Sequence, residues 1–355
     1  MSLRLSVVLA LALCSSTARA DGEVMFRGAY YKERSTRVQQ PMVDAKLDVG
    51  EHGELDAHFL VDVITSASVS AGQDGAEFRE VRYENGASYL HDFGRFRLGG
   101  GYRLSTEPDY VSAFGTLRGE VSLADKNTVI GGTFAAGHDA FDDGNASGMG
   151  SKSGKMKTTL GSLSVSQLLS PLVVAGVTYD LSWVRGDQEN LYRQVPVGDP
   201  LGLSDESVPD RRLRHALFGS VRGFVEPSRT TIVLGYRYYQ DDWKVRAHTP
   251  EARVIQDFGG GIAARLRYRY YRQTAAEFYQ TIYDVEQPLM TSDPKLSQFE
   301  TQTVGVSVWA PLSRLGVEGN PGKVRAQLLV DYIHQTNAFG DAVAAQVAFT
   351  MPLEF

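Results

Sequence analysis

Apolar and polar residues alternate one by one along this chain of 355 residues, in segment after segment. In the stretch 54–63, Leu55, Phe59 and Val63 share one face, and Asp56 and Asp62 share the other. A helix repeats every 3.6 residues and cannot keep two such faces apart, whereas a strand repeats every two. The alternation therefore predicts a chain built of β-strands.

The alternating segments are long, at roughly 10 to 15 residues against the ~5–6 of strands in soluble sheets. The last segment runs from Val343 to Phe355 and ends on an aromatic residue, which is typical of the strand that outer-membrane assembly machinery reads. Because lipid offers no partner to an unpaired sheet edge, a sheet in a membrane must close on itself. We therefore predict an all-β fold, a transmembrane antiparallel up-and-down β-barrel, with Phe355 as its assembly signal.

Short and long connections alternate between the predicted strands over much of the chain. The longer loops fall at 67–75, 139–154, 187–210 and 280–295, and this asymmetry is typical of outer-membrane barrels. Sixteen segments fit the pattern, the longest at 260–279, but the alternation is least regular before it. The pattern therefore fits about 14–16 strands. An even number would place both termini in the periplasm.

The N-terminal residues are typical of a secretory signal. Arg4 precedes an apolar run, and Ala20 closes a cleavage motif of small residues. Cys14, the only cysteine, follows a leucine rather than the small residue that lipidation prefers. We therefore predict that 1–20 is a cleaved signal peptide and that 21–355 is a single outer-membrane β-barrel without thiols.

Bulk composition excludes several classes of protein. The formal net charge of −6 argues against a nucleic-acid-binding partner. Beyond the signal, no apolar run approaches the ~18 residues that a membrane helix needs. No cofactor is predicted.

The polar faces of the strands are rich in charges of both signs. We expect the following to line the lumen or a solute pathway: Glu54, Asp56, His58, Asp62, Glu80, Arg82, Arg95, Arg97, Arg103, Glu107, Asp109, Arg118, Glu120, Arg265, Arg267 and Arg269. Rings of such charges set the selectivity of pores. Charges on neighbouring strands also pair with each other and hold a sheet rigid, so both interpretations stay open.

Metal binding is the alternative for one of these groups. His58 lies among carboxylates on a single strand, but metal ligands must converge on one point rather than line up. We therefore predict a polar cluster at this place and no metal site.

Two polar segments carry a resemblance. Residues 62–68, with Glu80 and Arg82, and residues 102–110 resemble a family of bacterial outer-membrane proteins known only as a domain of unknown function. The resemblance extends over most of the mature chain. It implies export and a β-rich body, and it implies no activity.

Three functions fit a barrel of this kind. The first is a channel or transporter for small polar or charged solutes. The second is a non-conducting scaffold for a periplasmic or surface partner. The third is a barrel-wall hydrolase, which is disfavoured because no histidine accompanies a G-x-S-x-G or similar hydrolase motif. Outer-membrane lipid and the assembly machinery are the partners that all three share.

Overall fold

The computed structural model describes residues 21–66, 78–142, 153–190 and 193–353. Within these ranges sixteen strands form one closed antiparallel barrel, and two short strands form a separate hairpin. The predicted all-β up-and-down barrel is therefore confirmed, at the upper end of the expected strand number. The predicted signal peptide and Phe355 lie outside the described residues.

The barrel strands follow the chain in order around the wall. They are β1 Gly22–Lys32, β2 Thr36–Val49, β3 Gly53–Ser66, β4 Phe78–Asp92, β5 Phe96–Thr106, β6 Tyr110–Leu123, β7 Thr128–Asp142, β8 Ser153–Ser170, β9 Val173–Gly186, β12 Arg211–Val225, β13 Thr230–Asp241, β14 Arg246–Gly259, β15 Ile262–Gln273, β16 Phe299–Pro311, β17 Arg325–Gln335 and β18 Ala342–Leu353. The hairpin strands β10, Gln194–Val197, and β11, Gly202–Asp205, lie between β9 and β12.

The first and last strands close the barrel. β1 pairs with β18 from Gly22 opposite Leu353 to Lys32 opposite Val343, and it pairs with β2 on its other side. Every barrel strand thus has two neighbours, and the backbone groups of both edges are paired. This is the only arrangement in which a sheet can satisfy its hydrogen bonds within lipid.

Large apolar side chains cover the outer face. Phe26, Val43 and Phe59 are successive cross-strand partners on β1, β2 and β3, and all three are exposed. Cross-strand partners point to the same side of a sheet. Leu117, with 63% of its surface exposed, belongs to the same outer face. Side chains of opposite parity, such as Arg118, therefore point into the lumen.

The two ends of the barrel differ in their connections. Both described termini, Asp21 and Leu353, lie at the end that carries the tight turns at 50–52 and 93–95. The longer connections, 187–210 and 274–298, lie at the opposite end. In the described part of the chain, no helix is both long and apolar enough to cross a membrane.

The segment predicted as a strand over 260–279 is shorter in the structure. β15 ends at Gln273, whose side-chain amide donates hydrogen bonds to the carbonyls of Lys295 and Ser297 at 2.9 and 2.7 Å. Ala276 donates its backbone N–H to the carbonyl of Leu296. These bonds turn the chain away from the sheet, so residues 274–298 form a folded loop instead of extending the strand.

The outer face predicts the effect of a buried charge on stability. Leu117→Arg should lower the free energy of unfolding in lipid vesicles by about 2–4 kcal/mol, if the residue lies near the bilayer midplane. Thr116→Arg is the matched control, because Thr116 points into the lumen and the new guanidinium would meet water there. Equal losses in urea titrations of the two variants would show that the assigned facing is wrong.

Candidate functional site: the charged lumen

Two rows of ion pairs run across the lumen wall formed by β1 to β6. In the first row, Asp44 lies between Arg27 and His58, at 2.7 Å from each. The row continues to Glu84, which lies 3.7 Å from His58 and 3.2 Å from Arg103. Acids and bases alternate from strand to strand, so each charge finds a partner on the neighbouring strand.

The second row lies nearer the end with the tight turns. Glu54 contacts Lys46 at 3.0 Å and Arg97 at 3.7 Å. Arg97 also reaches Glu120 at 3.4 Å, and Glu120 accepts a hydrogen bond from Arg118. The predicted lumen residues of β3, β5 and β6 are thus brought together as paired charges.

Near the loop end, the buried Asp62 forms an ion pair with the half-buried Arg82. Asp62 is 1% exposed, and its Oδ2 contacts the guanidinium of Arg82. Glu80, Glu107 and Asp109 bring carboxylate oxygens within 4.8 Å of one another at the same end. All five are among the residues predicted to line the lumen or a solute pathway, and the structure brings the last three together.

Two predicted residues stand apart from these pairs. Asp56 has one weak hydrogen bond, from the Ser88 hydroxyl at 3.4 Å. Arg95 precedes β5 in the turn 93–95, and its carbonyl accepts the backbone N–H of Ser122.

The facing wall, β14 to β17, carries an arginine face. Arg265, Arg267 and Arg269 point inward on β15, and Arg253 of β14 is the direct cross-strand partner of Arg267. Arg253 pairs with Glu251. Among the described residues, no carboxylate forms an ion pair with Arg265 or Arg269. The arginine face therefore carries an excess of positive charge.

Arg267 is held by an acid two strands away. Its Nη2 lies 3.3 Å from Oδ2 of Asp331 on β17, and Gly305 lies between them on β16. A Cβ at Gly305 would collide with Oδ1 of Asp331. The absence of a side chain at this one position lets the two charges meet across the intervening strand. The sequence alone does not indicate this role, since only the cross-strand register brings Gly305 and Asp331 together.

Small inward side chains leave space between the two walls. A cavity of about 790 Å³ opens against the inner face of β1 to β8. Its lining includes the small residues Gly86 and Gly101, His58 and other members of the first row, and apolar side chains such as Phe114 and Leu160. The space is thus bounded by small residues, by the first row and by a few apolar side chains.

Two loops form a folded cap at the mouth. This mouth cap consists of the described residues of the two loops, 187–190, 193–210 and 274–298. Tyr283, fully buried, packs with Val195 and Met290, and its hydroxyl accepts the backbone N–H of Thr291 at 2.9 Å. An ion pair of 2.6 Å between Arg193 and Asp293 joins the two loops again.

The mouth cap rests on inward-facing side chains. Tyr239 of β13 packs against the cluster of Val208, Trp243, Val245 and Ala276. The side-chain amide of Gln273 holds the loop 274–298 through its hydrogen bonds to the carbonyls of Lys295 and Ser297. Since Tyr239 and Gln273 both point inward, the mouth cap lies over the lumen on the side of β12 to β16. The sequence predicts only long loops here, because the contacts that hold the mouth cap join residues some 80 to 100 positions apart.

A buried acid lies within the mouth cap. Oε1 of Glu206 accepts a hydrogen bond from the Thr291 hydroxyl at 2.6 Å, and Oε2 accepts the backbone N–H of Asn190 at 2.7 Å. Burial raises the pKa of Glu206 above its ordinary value, because the charged form loses its hydration. The nearby carboxylate of Asp293 raises the pKa further, whereas Arg193 and the two hydrogen bonds lower it.

The Gly305 contact predicts a measurable coupling. Gly305→Ala should lower the free energy of unfolding by about 1–3 kcal/mol, because the new methyl group displaces Asp331. In an Asp331→Ala background the same change should cost much less, since the clashing carboxylate is gone. A double-mutant cycle by urea unfolding tests this, and an additive result would contradict the arrangement.

The pKa of Glu206 predicts how the mouth cap responds to pH. Because the pKa is raised in the folded cap, the ionised form weakens the fold, and this penalty disappears as Glu206 is protonated on acidification. Amide hydrogen exchange within 283–291, corrected for its intrinsic pH dependence, should therefore slow between neutral pH and about pH 4. Glu206→Gln should remove that dependence and Glu286→Gln, an exposed neighbour, should keep it. An unchanged dependence in Glu206→Gln would refute the assignment.

Several solved structures are similar to this chain. A bacterial polysaccharide outer-membrane secretin matches with 10% identity and a TM-score of 0.53, covering 96% of this chain and 100% of its own. A BenF-like porin from Pseudomonas fluorescens Pf-5 has 11% identity, a TM-score of 0.49 and coverage of 95% and 99%. Pseudomonas aeruginosa OccK1 (OpdK) has 12% identity, a TM-score of 0.48 and the same coverage.

At these identities the secretin match shows a shared fold and nothing finer. Among curated proteins, no sequence matches this chain. The sequence profile of one family, described as "Protein of unknown function (DUF3570)", matches residues 70–349. That range covers most of the chain and nearly all of the barrel from β4 to β18. The chain therefore belongs to the DUF3570 family.

Proposed function

We propose that this protein is a channel of the bacterial outer membrane for small polar or charged solutes. Its export signal is removed after Ala20, and both termini lie in the periplasm. This orientation puts the mouth cap and the other long loops at the cell surface, as short periplasmic turns and long outer loops are the rule in such barrels.

The observation that carries this proposal is the division of the lumen. One wall holds its charges in alternating pairs, with the cavity of about 790 Å³ against it. The other wall carries Arg265 and Arg269 without an acid partner among the described residues. Unpaired charges are costly unless water reaches them, so this division favours a hydrated lumen over a packed one.

The arginine face would make the channel select solutes by the sign of their charge. In a narrow water-filled lumen, a surplus of guanidinium groups attracts anions and repels cations. The mouth cap lies above this side of the lumen, so solutes entering there would pass between it and the arginine face. A solute with a carboxylate or phosphate group fits such a pathway, because guanidinium groups bind both in a bidentate manner.

Measurements in planar bilayers test the proposal. The Arg265→Gln/Arg269→Gln variant should shift the reversal potential in a salt gradient toward cation selectivity, and Asp56→Asn should shift it the other way. Both shifts should shrink in 1 M salt, where the Debye length falls to ~3 Å from ~10 Å at 0.1 M. Asp62 is unsuited to this test, since it is buried and its removal would leave the half-buried Arg82 without its partner.

Lys244→Gln/Arg246→Gln is the matched control. It removes two exposed positive charges away from the arginine face, neither of which has an ion-pair partner among the described residues, and should leave the selectivity unchanged. Correctly folded barrels that pass no current, with a lowered melting temperature on loss of Arg265 and Arg269, would reject the channel. That result would favour the scaffold for a periplasmic or surface partner.

A further inference from the structure

A row of basic side chains crosses the outer face of four adjacent strands. His138 on β7 is the direct cross-strand partner of Lys157 on β8, Lys157 is that of Arg185 on β9, and Arg185 is that of Arg211 on β12. All four side chains are exposed. We call them the basic row. With neighbouring strands ~4.8 Å apart, the basic row is about 14 Å long.

The basic row has no acidic partner in the described part of the chain. The carboxylate of Asp187 lies at the same edge, but it accepts the backbone N–H of Lys155 at 2.9 Å and pairs with none of the four. Like charges directly opposite each other destabilise a sheet. Three consecutive cations therefore need an anion from outside the protein.

The height of the basic row suits a membrane surface. On β9, outward side chains from Ala175 to Trp183 precede Arg185, whose guanidinium lies 3.6 Å from the centre of the Trp183 ring. Ten residues of a strand tilted by ~40° rise about 25 Å, which is the height of the apolar band of such barrels. Arg185 thus lies just beyond that band, at the end with the long loops.

Below the basic row, the outer wall carries a groove. It measures about 500 Å³, and its floor is formed by Gly119, Gly132 and Gly161 on β6, β7 and β8. Its sides are the apolar side chains Leu98, Leu117, Phe134, Leu163, Tyr179 and Leu181. We call this the outer groove. Gly161 is four residues from Lys157, so the two features are about 13 Å apart along the strand.

We propose that the basic row and the outer groove together bind a phosphorylated lipid of the outer leaflet. Its phosphate groups would lie on Lys157, Arg185 and Arg211, and one acyl chain would fill the outer groove. The charge row and the groove are independent features, and their spacing matches a lipid that has an anionic head and an apolar tail. The inference rests on the membrane orientation given under the proposed function, and not on conduction.

Native mass spectrometry of the full barrel in an uncharged detergent tests the proposal. The probes are bisphosphorylated lipid A and the same lipid without its phosphates. Wild type should bind the first much more tightly than the second. Lys157→Gln/Arg185→Gln/Arg211→Gln should weaken lipid A binding on the order of a hundredfold, since each cation near an anionic surface contributes about a factor of five.

Two matched controls keep the result interpretable. Lys244→Gln/Arg246→Gln/Arg272→Gln removes three exposed cations at the same end, in the turn after β13 and on β14 and β15, and should bind lipid A like wild type. Gly161→Leu should weaken binding, because the new side chain occupies the outer groove, while its Cβ meets no atom within 4 Å. Gly28→Leu, equally free of contacts on β1, should not. Gel mobility before and after boiling shows that each variant is folded.

Several outcomes would overturn the proposal. They are equal binding by the first triple variant and wild type, equal binding of the two lipids, and displacement of lipid A by equimolar inorganic phosphate, which would mean a site for free anions. The proposed channel is tested separately. The first triple variant should conduct like wild type, and a barrel that binds lipid A but carries no current would reject only the channel.

Discussion

Closure of the sheet is the constraint on which the rest of the structure depends. A strand edge in lipid leaves N–H and C=O groups without partners, at a cost of several kcal/mol for each group. The pairing of β1 with β18 removes the two edges that a sheet of sixteen strands would otherwise leave open. Closure in turn divides every strand into a face toward lipid and a face toward the lumen. One shift of register would exchange those faces, so the register is as fixed as the closure itself.

Once the faces are fixed, the lumen has to accommodate its charges. On the side of β1 to β6 it does so by alternation, as acids and bases meet across strands in two rows. On the side of β14 to β17 the arginines outnumber the acids. Arg267 reaches Asp331 only because Gly305, on the strand between them, has no side chain. The two walls therefore behave differently: one is neutralised within the sheet, and the other depends on water or on a bound anion.

The outer face must also match its solvent, which is lipid rather than the water of the lumen. Leucine, valine and phenylalanine contact lipid over most of the height of the barrel, and charged side chains on the outer face lie only where the apolar band ends. The basic row stands at that boundary, while the mouth cap closes over the lumen at the same end of the barrel. The end with the long loops thus combines the folded loops, the buried Glu206 and the unpaired outward cations, whereas the second row of ion pairs lies nearer the end with the tight turns.

The sequence alone determined the strands, their facing and the class of fold, because period-two alternation is a local property that survives without tertiary information. It also placed Arg265, Arg267 and Arg269 on one face, since they are two residues apart. Tertiary structure decided which charges meet: Arg27 with Asp44, Arg97 with Glu54 and Glu120, and Arg267 with Asp331 through the gap at Gly305. It also decided the mouth cap and the basic row, whose members lie tens of residues apart. Cross-strand register and loop packing are long-range properties, and no periodicity along the chain encodes them.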